Sequence, residues 1–153
     1  MLFFDLDGIY SMHGNGPAQE EIISLDFYAG SFPENSRLYQ FSKAMCFSND
    51  PEILKTLREA IRPLAVGTYQ SLPYAIEVCP PGVNKANGIK QLFKLLGLED
   101  YRLYAVGDSE NDLPMLELAH FSYAPTTAEG EIRARVEHVI DAGKNGVLGA
   151  ILG

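Results

Sequence analysis

The sequence predicts an α/β protein whose C-terminal half forms a doubly wound parallel sheet. Two observations carry this. Strand-like and helix-like segments alternate from residue 85 to 153, the pattern of a parallel sheet with crossover helices. Two short apolar runs, Met1–Phe4 and Leu103–Val106, each end abruptly in acidic, glycine-containing turns, as buried strands do where they leave a sheet.

Met1–Phe4 reads as a buried strand entering the turn Asp5-Leu6-Asp7-Gly8. Residues 9–36 are less legible. Gly14-Asn15-Gly16-Pro17 is a turn signal, Ile22–Tyr28 could form a strand, and Gly30–Ser36 suits a loop. Lys43–Phe47 suggests a strand. Asn49-Asp50-Pro51-Glu52 then looks like a helix start, with Pro in the first turn and acid near the positive helix end. Ile53, Leu54, Leu57 and Ile61 give that helix an apolar stripe. Tyr74–Val78 alternates as a strand does, and Pro80-Pro81-Gly82 is the best candidate for a linker between two lobes.

Beyond the linker, Ile89, Leu92, Phe93 and Leu96 recur at helical spacing, with Gly97 placed as a C-cap. A strand at 102–106 leads into the acidic turn Gly107–Asp112. A helix follows through Leu113, Leu116 and Leu118. The remaining elements are a strand at Phe121–Ala124, a helix at Ala128–Val136 and a strand at His138–Ile140. No repeat or low-complexity tract interrupts the chain.

Length and composition limit the function classes. The chain has 153 residues, 46% hydrophobic and 21% charged, which suits one globular domain, or two small lobes. A net charge of −8 argues against general nucleic-acid binding, which needs Lys and Arg to neutralise phosphates. The twelve Lys and Arg read as scattered, most dense at Arg133 and Arg135. Cys46 and Cys79 lie in apolar surroundings and read as buried free thiols. No apolar run approaches the ~18 residues of a membrane span, and no basic region precedes the N-terminal apolar residues. The expected compartment is the cytoplasm. His13, His120 and His138 are isolated from one another and read as non-catalytic.

In doubly wound sheets, ligands bind at the carboxyl ends of strands. Asp5 and Asp7 follow one strand end and Asp108 another. If those strands are neighbours, three carboxylates converge. Oxygen ligands without Cys or His favour a hard ion, magnesium before calcium. Magnesium commonly shares its shell with a phosphate, which suggests a phosphorylated substrate. The alternative is a solvated acidic loop in which Ser109 or Asn111 caps the next helix.

Three motifs in order, "FFDLDG", "GVNKANGIKQL" and "VGDSENDLPML", resemble the haloacid dehalogenase-like superfamily, most nearly its Cof-type phosphatases. The match covers residues 1–8 and about 43–153. It implies an α/β fold with a doubly wound, Rossmann-like parallel-sheet core, residues 1–10 and 82–153, and a small partial α+β cap, residues 11–81. By the resemblance Asp5 is the nucleophile and Asp7 the general acid and base. Asp5, Asp7 and Asp108 hold Mg2+, with Asp7 contributing its backbone carbonyl. Lys85 and Asn111 contact the phosphate, and Asp112 braces the metal turn or Lys85. Gly8 and Gly107 would permit tight turns close to the ligand. The implied reaction is magnesium-dependent hydrolysis of a small phosphorylated metabolite through an aspartyl-phosphate.

Two departures stand out. Ile9 replaces the family's usual Thr, and its Ser or Thr motif, often within TGR, is not evident. Ser48 could fill that role by local pattern, although its surroundings fit the cap better. The chain reads as a shortened member, or as one from which residues are omitted. Shortening would leave the strand at residues 2–5 on a sheet edge that a partner subunit could cover. A catalytically impaired scaffold that binds metal, phosphate or protein is the alternative function. A receiver-like domain fits less well, because its phosphorylated Asp lies mid-domain, and a phosphomutase is ill suited to so short a cap.

Overall fold

The computed structural model describes residues 1–4, 9–11, 29–31 and 41–152. The chain divides into two compact units, Met1–Gly82 and Val83–Gly153. The division falls at the end of the predicted Pro80-Pro81-Gly82 linker.

In the first unit, six described strands form one sheet in the order β3-β2-β1-β4-β6-β5. They are β1 (Leu2–Phe4), β2 (Ile9–Ser11), β3 (Ala29–Ser31), β4 (Lys43–Phe47), β5 (Gly67–Leu72) and β6 (Ala75–Cys79). All neighbours are antiparallel except β2 and β3. Leu2, 1% exposed, packs with Met45 and Ala75, and Phe4, Phe47, Leu72 and Tyr74 flank them. Burying such side chains contributes roughly 1.5–3 kcal/mol each. Helix α1 (Pro51–Ile61) starts as expected: Asp50 caps it by accepting the Glu52 N–H at 2.9 Å, and Pro51 opens its first turn. Of its predicted stripe only Leu54 is buried, while Ile53 stands exposed.

The first strand is where the structure departs most from expectation. β1 does not lie in the parallel sheet beside the strand that ends at Val106. It pairs with β2 through Leu2↔Ser11 and with β4 through Leu2↔Met45. This differs from the expected grouping of residues 1–10 with 82–153. A three-residue apolar strand needs only a partner on each edge and a core beneath one face, and β2, β4, Met45 and Ala75 supply both. With neighbours on both sides, β1 is not the open edge that was expected to need a subunit partner. Strand β5 was not anticipated, and Gly30 and Ser31 belong to β3 rather than to a loop. The turn at 14–17 and the strand at 22–28 lie outside the described residues.

In the second unit, β7 (Tyr104–Val106), β8 (Phe121–Pro125) and β9 (His138–Ile140) form a parallel sheet in that order. Helices α2 (Lys85–Leu96), α3 (Leu113–Leu118), α4 (Gly130–Arg133) and α5 (Ala142–Leu152) lie before, between and after them. This is the predicted α/β alternation, with α4 shorter than expected and α5 unanticipated. Asn84 caps α2 by accepting the Asn87 N–H at 2.9 Å, and Gly97 closes it at φ 64°, a left-handed position that glycine adopts without a Cβ penalty. Ala105, Leu116, Ala124, Ala128 and Ile132 form the core. Of the α2 stripe, Ile89 and Phe93 are half-buried, whereas Leu92 and Leu96 are exposed. Among the described residues no helix is long and apolar enough to cross a membrane.

Ala65 is the one described non-glycine residue with positive φ, 54°, in the turn between α1 and β5. Relief of that strain, less the extra freedom glycine gives the unfolded chain, should make Ala65→Gly more stable by about 0.5–1 kcal/mol. Urea unfolding checks this, and an unchanged or lower midpoint would show that the turn is unstrained.

Candidate functional site

The site grows from the end of β7. Ala105 is buried in the core and Gly107 extends the ladder, its N–H donating to Tyr123 O at 3.1 Å. A short 3₁₀ turn, Glu110–Asp112, then leads into α3. Within it the Asp112 carboxylate folds back over the turn, and the residue as a whole is 4% exposed. Oδ1 accepts from Lys85 Nζ, and Oδ2 accepts the Asp108 N–H at 3.1 Å. Burial alone pushes the Asp112 carboxyl up. The Lys85 and Asp108 donors outweigh it, so the group lies below the usual aspartate value.

Lys85 sits at the first position of α2, where the helix dipole disfavours a cation. Asp112 supplies the compensating charge. Their side chains differ in environment: that of Lys85 is 50% exposed and that of Asp112 only 6%. The ammonium therefore keeps one side open to solvent while the carboxylate is enclosed.

Asp108 is held by its backbone. Its N–H goes to Asp112, and its carbonyl accepts the Glu129 N–H at 3.3 Å. Its carboxylate is exposed and makes no hydrogen bond or ion pair with another described residue. Asn111 is fixed by Ser109, whose Oγ donates to Asn111 Oδ1 at 2.8 Å, with Asp112 Oδ2 a longer alternative at 3.4 Å. That leaves the Asn111 amide nitrogen as the end available to a ligand. Neither Ser109 nor Asn111 caps the turn through its side chain, so the simple capping alternative is not what these residues do. Ser109 is the site residue that sequence reasoning undervalued; its spacing two residues before Asn111 was the available signal.

Gly107 is required by packing. A Cβ built there would collide with Asp112 Cβ and lie 2.8 Å from its Cγ. Its importance is the close approach of Asp112, rather than the tight turn expected of it; its φ is not in the left-handed region.

The structure thus brings Lys85, Asp108, Asn111 and Asp112 together within the second unit. Asp5, Asp7 and Gly8 lie outside the described residues. Among the described residues no three His, Cys, Asp or Glu form a metal-holding group. The Asp112 carboxylate is committed to Lys85 and the Asp108 N–H, whereas Asp108 offers an uncommitted carboxylate suited to a hard cation. Ser48 Oγ accepts the Asp50 N–H at 3.0 Å beside the start of α1, a contact that leaves its hydroxyl proton to be donated elsewhere. His120 accepts the Leu103 N–H at 3.1 Å through Nδ1, a structural role. Cys46 and Cys79 are buried and unpaired, and burial pushes both thiols up.

Two outcomes follow from the Asp112 clasp. Gly107→Ala should displace Asp112 and destabilise the chain by about 1–3 kcal/mol, as overpacking does; a wild-type urea midpoint would contradict the close approach. Asp112→Asn should cost about 1–3 kcal/mol at neutral pH, toward the lower end because Lys85 keeps solvent contact. The folded-state value of Asp112 is depressed, so its contribution is complete above the unfolded value of about 3.9 and fades as pH falls below it. Wild type and Asp112→Asn should therefore converge in stability as pH drops below about 4. A gap that stays constant down to pH 2 would sever the link.

The sequence matches the haloacid dehalogenase-like hydrolase family over residues 1–151. It is 38% identical over 87 residues to phosphoglycolate phosphatase of Methanothermobacter thermautotrophicus, covering 57% of this chain and 39% of that protein. It is also 38% identical over 104 residues to 5-amino-6-(5-phospho-D-ribitylamino)uracil phosphatase of Escherichia coli, covering 66% of this chain and 37% of the relative. The matched segments span less than half the length of these relatives. A solved subclass IIB sugar phosphatase of the same superfamily aligns with a TM-score of 0.76 at 20% identity, covering 90% of this chain and 53% of that one. A haloacid dehalogenase-like hydrolase from B. subtilis aligns at 0.75 and 20% identity, covering 90% and 59%. These likenesses show the α/β fold, and the family match assigns the sequence: the chain belongs to the haloacid dehalogenase-like hydrolases.

Proposed function

We propose that the chain is a magnesium-dependent phosphatase that hydrolyses a small, sugar-phosphate-like metabolite through an aspartyl-phosphate. The observation that carries this reading is the strand-end cluster. A lysine is pinned by a buried aspartate, next to an exposed Asp108 carboxylate that no described residue engages. Phosphate in the names of the relatives' substrates, phosphoglycolate and a phosphoribitylamino uracil, supports the substrate class.

In this reading, which takes the roles of Asp5 and Asp7 from the family resemblance and not from the pairing of β1, an Asp5 carboxylate oxygen attacks phosphorus and the bond to the leaving oxygen breaks. Asp7 gives that oxygen its proton. Asp7 then takes a proton from water as the water attacks the aspartyl-phosphate, releasing inorganic phosphate and restoring Asp5. Lys85 offsets charge building on the equatorial oxygens. The Asn111 amide nitrogen donates to the phosphate, and Asp112 holds Lys85 in line. Magnesium, bound by Asp5, Asp108 and the Asp7 carbonyl, would neutralise phosphate charge and align the phosphoryl group.

A second reading has support of its own. Ser48, which could fill the family's Ser or Thr role by local pattern, stands beside the start of α1, and the sequence contains no TGR. Removing one such donor typically slows chemistry by ~10²–10³-fold, so a scaffold that binds metal or phosphate without useful turnover remains the competing function.

Hydrolysis of p-nitrophenyl phosphate separates the two. The phosphatase reading expects magnesium-dependent turnover that falls by about 10³-fold or more in Asp5→Asn. It expects a loss of about 10²–10³-fold in Lys85→Ala and a raised magnesium requirement in Asp108→Asn. Turnover surviving in Asp5→Asn would remove the nucleophile assignment. A folded wild-type chain that binds magnesium yet turns nothing over would select the scaffold.

A further inference from the structure

The first unit holds a groove that the proposed chemistry does not use. It runs between α1 and the edge strand β5, lined by Lys55, Arg58, Glu59, Arg62, Val66 and Thr68, with a volume of about 330 Å³. A second hollow of about 210 Å³ continues it past Lys55 and Arg58 to Gln70, Leu54 and Ile76. Leu54 and Ile76 line the bottom of this continuation beneath the cationic rim, with little of either side chain accessible.

The charge distribution is the second observation. The chain as a whole carries −8, yet the larger hollow gathers three cations against one carboxylate, Glu59. Lys55, Arg58 and Arg62 fall at i, i+3 and i+7, one face of a helix. These three lie within eight consecutive residues, and helical spacing turns them toward the same hollow.

Helix-end electrostatics explains only part of this. Arg58 in the last turn of α1 suits the negative helix end, and its Nη2 donates to Thr68 O at 3.2 Å, which fixes the guanidinium across the groove. Lys55 lies mid-helix, where the dipole gives no such benefit, and its pair with Glu52 is long, 3.8 Å, and exposed. The Arg62 guanidinium makes no hydrogen bond or ion pair with another described residue. Two planar forks and an ammonium on one wall suit a dianion with several acceptor oxygens better than a single carboxylate.

We propose that this groove binds the phosphate group of a small organic phosphate through Lys55, Arg58 and Arg62, with the ligand's carbon skeleton over Leu54 and Ile76. The site lies wholly within the first unit and does not rest on the reading of the Lys85 site.

The test is a phosphate titration of the full-length chain followed by ¹H–¹⁵N spectra, without magnesium, against sodium chloride at matched ionic strength. Inorganic phosphate and glucose 6-phosphate are the two probes. The expected result is saturable movement of the Val66 and Thr68 amides and the Arg58 and Arg62 side-chain signals. It should be unchanged in Lys85→Ala, which removes the cation of the other candidate phosphate site. Glucose 6-phosphate should bind more tightly than inorganic phosphate, and Lys55→Gln/Arg62→Gln should weaken both by about tenfold or more. Both substitutions are on exposed side chains, and signal dispersion reports whether the variant is folded; Lys55→Gln alone, expected to weaken binding about threefold, serves if it is not. Movement reproduced by sodium chloride, movement abolished by Lys85→Ala, or affinity indifferent to the Lys55 and Arg62 changes would each overturn the site. Equal affinity for the two probes would overturn the organic ligand and assign the groove to free phosphate.

Discussion

A carboxylate removed from water must find donors, and in the second unit that requirement organises everything near the end of β7. Asp112 is enclosed, so it draws one donor from the neighbouring backbone and one from a lysine 27 residues earlier in the chain. Satisfying it fixes the course of the acidic turn, the direction of the Lys85 side chain and the need for a residue without Cβ at 107. Taking one partner from such an arrangement costs more than the arrangement contributes over an apolar alternative. The pairing therefore specifies geometry more than it adds stability. The exposed Asp108 carboxylate and the Asn111 amide are then presented by a turn whose backbone has no remaining freedom to choose.

Much of this second unit was legible because its signals are local. Gly97 after a helical repeat and the change from Ala105-Val106 to Gly107-Asp108 are each decided within a few residues, whereas the Asn84 cap emerges only in the structure. The ranges of α2, β8 and β9 follow from them almost unchanged. The cluster of Lys85, Asn111 and Asp112 was legible through motif order. The finer geometry was not, because the spacing of Ser109 and Asn111 does not say which amide end the hydroxyl holds. Nor does the sequence reveal that Gly107 is glycine for want of room.

The first unit was harder for a physical reason. Its central pairings, β1 with β4 and β4 with β6, join segments distant in sequence, and short apolar segments such as Met1–Phe4 satisfy more than one sheet equally well by pattern. The run alone announces a buried strand; whether its neighbours are parallel or antiparallel is decided by which edges are available. β5 was missed because Gly67–Leu72 mixes Gly, Thr, Gln and Ser into a weak alternation and earns its place by pairing with β6. The basic groove escaped notice similarly, since three cations in eight positions look ordinary until a strand closes the far side.

The clasp between Lys85 and Asp112 also makes α2 a measuring rod. Lys85 marks its zero, and the helix runs twelve residues to Leu96 before Gly97 turns the chain back toward β7. Each α-helical residue advances the backbone by about 100°, so one residue inserted within α2 would rotate Lys85 away from Asp112 or drag Phe93 off Tyr101, which it meets at 4.2 Å between ring centroids. Leu98 still closes the helix, its N–H donating to Phe93 O at 3.0 Å, but the connection at Glu99 and Asp100 has no such duty. Length variation along this half of the chain should therefore be tolerated in that connection and excluded from the helix, so that the site is protected by arithmetic as much as by the identity of its residues.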